Sequence, residues 1–151
     1  MIKILKLEEL SLPYDITLSM TNDCNLACPY CYVEKATTYM TFEIGKKAID
    51  YCHNNLLAIR EKYKNVSNQI VFGNNNNILC STISFFGGEP LLNFNVLKQI
   101  VEYAETTYPN DWYYNITTNG ILLTKEICEF LNQYHFNICL SWDGIKEDQD
   151  R

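Results

Sequence analysis

The chain has 151 residues, of which 47% are hydrophobic and 20% charged, so it can bury the core of one domain but not of two. Its net charge of −6 argues against binding to nucleic acid, which requires a basic surface. No apolar run approaches the roughly 20 residues of a membrane helix, and the first residues do not resemble a signal peptide. A cytoplasmic protein without membrane contact is therefore expected.

The apolar and polar residues predict an alternation of strands and helices. A strand at 14–20 leads into a loop with three cysteines, and helical periodicity follows at 41–63. A short strand at 69–72 and a turn at the asparagine run 74–77 come next. The remaining elements are strands at 82–86, 113–118 and 137–142, and helices at 95–108 and after Thr124. This order predicts an α/β fold of about four parallel βα units.

The same patterns predict which side chains are buried. The residues expected to face the core from the first two helices are Ile44, Ala48, Tyr51, Cys52, Leu56, Ile59, Leu97, Ile100, Val101 and Ala104. Asn93 or Asn95 is expected to cap the second helix. Packing roles are expected for Trp112 and Trp142, and burial as small hydrophobic residues for the isolated cysteines Cys52, Cys80, Cys128 and Cys139.

Four unusual segments each follow the end of a predicted strand. They are the cysteine loop 24–31 and the turns at 87–90, 118–120 and 143–144. Because the carboxyl ends of parallel strands meet at one edge, where ligands bind, these segments are expected to converge. In the last two strands, polar residues alternate with residues that face the helices, which indicates a barrel lumen for a polar ligand.

The spacing Cys24-x3-Cys28-x2-Cys31 is the strongest chemical signal. Three thiolates on a short loop can hold three irons of a [4Fe–4S] cluster and leave the fourth iron open. A zinc site completed by a distant ligand, or three unrelated thiols, are the alternatives that spacing alone leaves open. In the turn after the second long strand, Gly87 and Gly88 would let a ligand approach the backbone, and Glu89 would place a negative charge at the rim.

The loop CNLACPYC, followed in order by GGEP, TNG and SWDG, resembles the radical S-adenosylmethionine (SAM) superfamily. The spacing is similar to the branch of anaerobic sulfatase maturases and peptide-modifying enzymes, which often carry SPASM domains. The resemblance implies a partial (β/α) barrel with a [4Fe–4S] cluster and SAM as cofactors. It also implies reductive cleavage of SAM to a 5′-deoxyadenosyl radical that modifies a peptide or protein.

The resemblance further implies ten site residues. The cluster ligands would be Cys24, Cys28 and Cys31. The residues near SAM would be Tyr30, Gly87, Gly88, Glu89, Asn119, Ser141 and Asp143. Within this set, Tyr30 would lie near the adenine, Glu89 near the amino group and Ser141 near the methionine part. A flavodoxin or ferredoxin would supply the electron.

The sequence also departs from the family. Six strands are usual in its barrel, against about four predicted here, and Gln149 stands where a histidine is usual. We therefore expect an amino-terminal lead-in at 1–13 and an incomplete core domain at 14–151, as the amino-terminal part of a longer enzyme. A non-catalytic module that binds zinc or an iron–sulfur cluster, or an inactive remnant, are the alternative functions.

Overall fold

The computed structural model describes residues 15–63 and 80–144. Its strands are β1 (Ile16–Ser19), β2 (Ser81–Phe86), β3 (Trp112–Thr118) and β4 (Asn137–Leu140). Its helices are α1 (Phe42–Tyr63), α2 (Phe94–Thr107) and α3 (Lys125–Gln133), and a short 3-10 helix at Pro90–Asn93 leads into α2. The predictions for 1–13, 69–72, 74–77 and 145–151 lie outside the described residues.

The four strands form one parallel sheet in the order β1-β2-β3-β4. Neighbouring strands end at about the same level, since Ser19 pairs with Phe86 and Thr118 pairs with Leu140. The loops that follow the strands therefore leave the sheet along one edge. This arrangement confirms the predicted α/β fold of parallel βα units.

One face of the sheet is buried beneath the helices. Ile83 and Phe85 of β2 and Tyr114 and Ile116 of β3 belong to a continuous core with side chains of α1, α2 and α3. The intervening residues of β2 and β3 are only half-buried, as the polar and apolar alternation predicts. The half-buried face is therefore the one that can meet a polar ligand.

Helix α1 buries three of the six residues expected to face the core, Cys52, Leu56 and Ile59, and a fourth, Ala48, packs against the core while partly buried. With Ile49, which the prediction left out, the buried apolar side chains follow the spacing of one helical stripe. Ile44 and Tyr51 lie off this stripe and are exposed, so the prediction of their burial was wrong. The four inward residues predicted for α2 are all buried, and that prediction is confirmed.

Strand β4 forms one edge of the described sheet, next to β3, and all four of its residues are exposed. Trp142, just beyond it, is 65% exposed, so its expected packing role was wrong. Trp112 is buried, as predicted. Cys128 and Cys139 are also exposed, which contradicts their expected burial, because α3 turns Cys128 outward and β4 lies at the edge.

Asn93 stands at the amino end of α2, but its side chain does not cap the helix. Its Nδ2 atom instead donates to the carbonyl oxygens of Met20 (3.1 Å) and Met40 (2.9 Å). This amide thus ties the start of α2 to the chain that leaves β1 and to the chain that enters α1. Within 15–63 and 80–144, no helix has the length and apolar character that crossing a membrane requires.

Candidate functional site

The cysteine loop begins at a fixed turn directly after β1. Thr21 is buried, its Oγ1 atom donates to the Thr38 carbonyl (2.7 Å), and it accepts from the Asp23 amide (2.9 Å). The Asp23 carboxylate accepts from the Cys24 amide (2.8 Å) and the Tyr39 hydroxyl (2.7 Å). Sequence reasoning missed Thr21 and Asp23, although Thr-x-Asp before a loop is a typical side-chain-to-backbone turn pattern.

The loop after β2 packs directly on this turn. The amides of Gly88 and Glu89 donate to the carbonyls of Thr21 and Asp23, both at 2.8 Å. A Cβ atom at Gly87 would lie 2.3 Å from the Thr21 oxygen, and one at Gly88 would lie 2.2 Å from the Asp23 oxygen. The two glycines therefore permit close contact between two backbone segments of the protein itself. From the sequence, they were expected only to let a ligand approach the backbone.

Glu89 points into the protein and not toward the rim. Its side chain is 0% exposed, so the expectation of a negative charge at the rim was wrong. Oε1 accepts from the Thr118 hydroxyl (2.8 Å) and the Leu91 amide (3.1 Å), and Oε2 accepts from the Asn119 amide (2.9 Å). A buried carboxylate needs such donors, and here they join the end of β2 to the end of β3.

Asn119 connects the end of β3 to the cysteine loop. Its Nδ2 atom lies 2.8 Å from Asn25 Oδ1 and 3.9 Å from Cys24 Sγ. Its Oδ1 atom accepts from the Ile121 amide at 3.0 Å. The Leu26 amide also donates to Cys24 Sγ, at 3.4 Å. The sulfur of Cys24 therefore already faces two N–H donors.

The far side of the site is formed by the segment after β4. The Ser141 amide donates to the Thr118 carbonyl (2.9 Å), which continues the sheet beyond Leu140. The Tyr30 hydroxyl donates to the Asp143 carboxylate across the site. This hydrogen bond raises the pKa of Tyr30 above its ordinary value, because it stabilises the protonated phenol.

The structure brings the predicted site residues together at the carboxyl edge of the sheet. Nine of the ten line one cavity of about 220 Å³, and the tenth, Glu89, is buried behind its wall. They come from four separate chain segments that the parallel register brings to the same level. The convergence expected from the positions of the strand ends is therefore present.

The donor set fits a [4Fe–4S] cluster. Among residues 15–63 and 80–144, no group of three or more Cys, His, Asp or Glu side chains is arranged to hold a single metal ion. A cubane cluster makes a different demand, since each thiolate binds a different iron. Cys24, Cys28 and Cys31 lie on one loop, line one cavity and are all at least partly accessible.

Comparison with known families agrees with this fold. The sequence profile of the radical SAM superfamily matches residues 18–151, so the chain belongs to the radical SAM superfamily. Enzymes of this superfamily use a [4Fe–4S] cluster and SAM. The resemblance inferred from the four motifs is thereby confirmed.

Relatives within the superfamily carry several names. The chain is 38% identical over 133 residues to an uncharacterised protein of Methanocaldococcus jannaschii, covering 87% of this chain and 39% of that protein. It is 30% identical to a GTP 3′,8-cyclase of Clostridium botulinum, covering 89% and 36%. It is 31% identical to a serine-type anaerobic sulfatase-maturating enzyme of Bacteroides thetaiotaomicron, covering 84% and 28%. The chain thus spans less than two-fifths of each of these relatives.

A solved structure shares the fold. The chain superimposes on anSMEcpe with bound AdoMet and the Cp18Cys peptide with a TM-score of 0.63 and 25% identity. The match covers 90% of this chain and 33% of that one. The expected partial barrel is therefore confirmed over the part of the chain that the structure describes.

Proposed function

We propose that this chain is the cofactor-binding core of a radical SAM enzyme that modifies a peptide or protein. The observation that carries the proposal is the single cavity shared by the three cysteines, the glycine turn and the ends of β3 and β4. The chemistry that a bound, reduced cluster would supply is the transfer of one electron to SAM, which would give methionine and a 5′-deoxyadenosyl radical able to take a hydrogen atom from the substrate.

The cysteine loop is proposed to hold the cluster. The thiolates of Cys24, Cys28 and Cys31 would each bind one iron, which would leave the fourth iron without a protein ligand and available to the amino and carboxylate groups of SAM. Backbone groups at Gly87 and Gly88 line the same cavity and would accept hydrogen bonds from the SAM amino group. Glu89 would act from behind this wall, by holding the glycine turn in place.

The remaining wall is proposed to orient SAM. The Tyr30 ring is 67% exposed and lines the cavity, so it offers an apolar face for the adenine. Its hydrogen bond to Asp143 holds that ring across the cavity from β4. Ser141 lines the cavity and would donate its hydroxyl proton to the methionine part of SAM.

Similarity supports the substrate class. One relative is a sulfatase-maturating enzyme, and the superimposed structure has AdoMet and a peptide bound. We therefore propose a peptide or protein substrate and an electron donor such as a flavodoxin or ferredoxin. We also place the protein in the cytoplasm, because a reducing compartment keeps the three cluster thiols free.

Oxygen-free reconstitution of the 151-residue chain tests the proposal. We expect brown protein with about four irons per chain, and an electron paramagnetic resonance (EPR) signal of the reduced cluster that changes when SAM is added. Cys28→Ala should lose this iron and colour. Cys128→Ala is the matched control and should keep both, since Cys128 is an exposed residue of α3.

Three results would contradict the proposal. Colourless protein with one zinc per chain would support the non-catalytic module instead. An iron centre whose EPR spectrum does not change when SAM is added would contradict the proposed enzymatic function. If GTP, but not peptides, prevented the decay of the SAM-dependent EPR signal of the iron-loaded protein, the proposal of a peptide substrate would be overturned.

A further inference from the structure

We propose that Asn119 is a positioning residue for Cys24 and raises the reduction potential of the cluster that Cys24 would bind. The proposal rests on the proposed function, since it concerns the same cluster. It assigns to Asn119 an action on a ligand sulfur in place of the SAM contact that the resemblance implied.

The side chain of Asn119 reaches the first cysteine of the loop from a distant part of the chain. Its Nδ2 atom carries two N–H groups and lies 2.8 Å from Asn25 Oδ1 and 3.9 Å from Cys24 Sγ. One group can thus hold the Asn25 side chain while the other faces the sulfur. A ligand sulfur that carries negative charge accepts hydrogen bonds more strongly than a neutral one, which favours this contact when Cys24 binds iron.

The surrounding contacts fix which end of the amide faces the sulfur. The Asn119 oxygen accepts from the Ile121 amide (3.0 Å), which leaves the nitrogen for Cys24 and Asn25. The Asn119 backbone amide is in turn held by the buried Glu89 carboxylate (2.9 Å). Both the position of the residue and the direction of its amide are therefore set before any cofactor binds.

The consequence is electrostatic. Reduction adds one negative charge to the cluster, and this charge spreads onto the ligand sulfurs. N–H donors at a ligand sulfur stabilise the reduced state more than the oxidised state, and hydrogen bonds to the sulfurs are a known determinant of cluster potential. Asn119 should therefore make electron transfer from the donor to the cluster more favourable.

The experiment is an EPR-monitored redox titration of the reconstituted 151-residue chain. At the potential where the unmodified protein is half reduced, Asn119→Ala should lower the ratio of reduced to oxidised cluster about three- to tenfold, with iron content unchanged. Asn137→Ala is the matched control, since Asn137 begins β4, away from the cysteine loop, and its Nδ2 atom donates to Asn115 Oδ1 in the middle of β3 (3.1 Å). It should leave the midpoint potential where it is.

An unchanged potential in Asn119→Ala, with full iron loading, would overturn the proposal while leaving the proposed function intact. Absence of a SAM-responsive cluster in the unmodified protein would instead overturn the proposed function. If the alanine variant does not fold, as judged by thermal melting of the apo-protein, Asn119→Leu replaces it. That variant keeps about the size of the side chain and adds no charge but has no N–H, so a potential equal to or above that of the unmodified protein would also refute the role.

Discussion

Replacement of Glu89 by glutamine tests whether this buried carboxylate joins the end of β2 to the end of β3. The carboxylate accepts three hydrogen bonds, from Leu91, Thr118 and Asn119. The side-chain amide of glutamine has only one acceptor oxygen. In the more favourable of its two orientations, this oxygen keeps the bonds from Thr118 and Leu91, and the NH2 group faces the Asn119 backbone amide, which is also a donor. The variant therefore loses one charge-assisted bond and weakens two others.

The size of the effect follows from these bonds. A hydrogen bond to a charged group contributes about 1.5–3 kcal/mol, and relief of the cost of burying a charge offsets part of the loss. We expect Glu89→Gln to lower the free energy of unfolding by about 2 kcal/mol. For a domain of this size, that corresponds to a fall in Tm of about 4–8 °C.

Thermal melting of the oxygen-free apo-protein, followed by circular dichroism, measures this change without any cofactor. Glu102→Gln, at an exposed position of α2, is the matched control and should shift Tm by less than about 2 °C. A melting temperature of Glu89→Gln that equals that of the control would refute the reasoning. It would mean that the carboxylate contributes no more than a neutral amide at this position.

Two further changes test other contacts. Gly88→Ala should lower Tm and prevent iron loading, because its Cβ would lie 2.2 Å from the Asp23 carbonyl oxygen; a variant with the Tm and iron content of the unmodified protein would contradict this. Burial disfavours the charged form of Asp50, but hydrogen bonds from Tyr103 and two other donors outweigh it and lower the pKa of Asp50. Its stabilising contribution should therefore be present at neutral pH and lost as the pH falls below about 4. Asp50→Asn should show a shallower loss of stability in that range by urea titration, and an unchanged acid profile would show that these bonds do not stabilise the charged form.

Much of the fold was predictable because the sequence patterns that indicate its strands, helices and turns are local. Hydrophobic periodicity and the turn residues of each segment predicted the order of strands and helices in the described parts, to within two residues at most ends. The parallel arrangement followed from the alternation of strands and helices. The errors at Ile44, Tyr51 and Trp142 arose because local periodicity does not show how far a helix is rotated, or whether a neighbour covers an edge strand.

The site was predictable in its members but not in their contacts. The sequence by itself determined that three cysteines share one short loop and that glycine, asparagine and serine turns follow parallel strands. Only the tertiary structure decided that Glu89 points inward, that Gly87 and Gly88 pack on the Thr21–Asp23 turn, and that Asn119 faces Cys24. The physical reason is distance along the chain: Asn119 and Cys24 are 95 residues apart, and no local pattern reports a contact that exists only when two strand ends are held side by side.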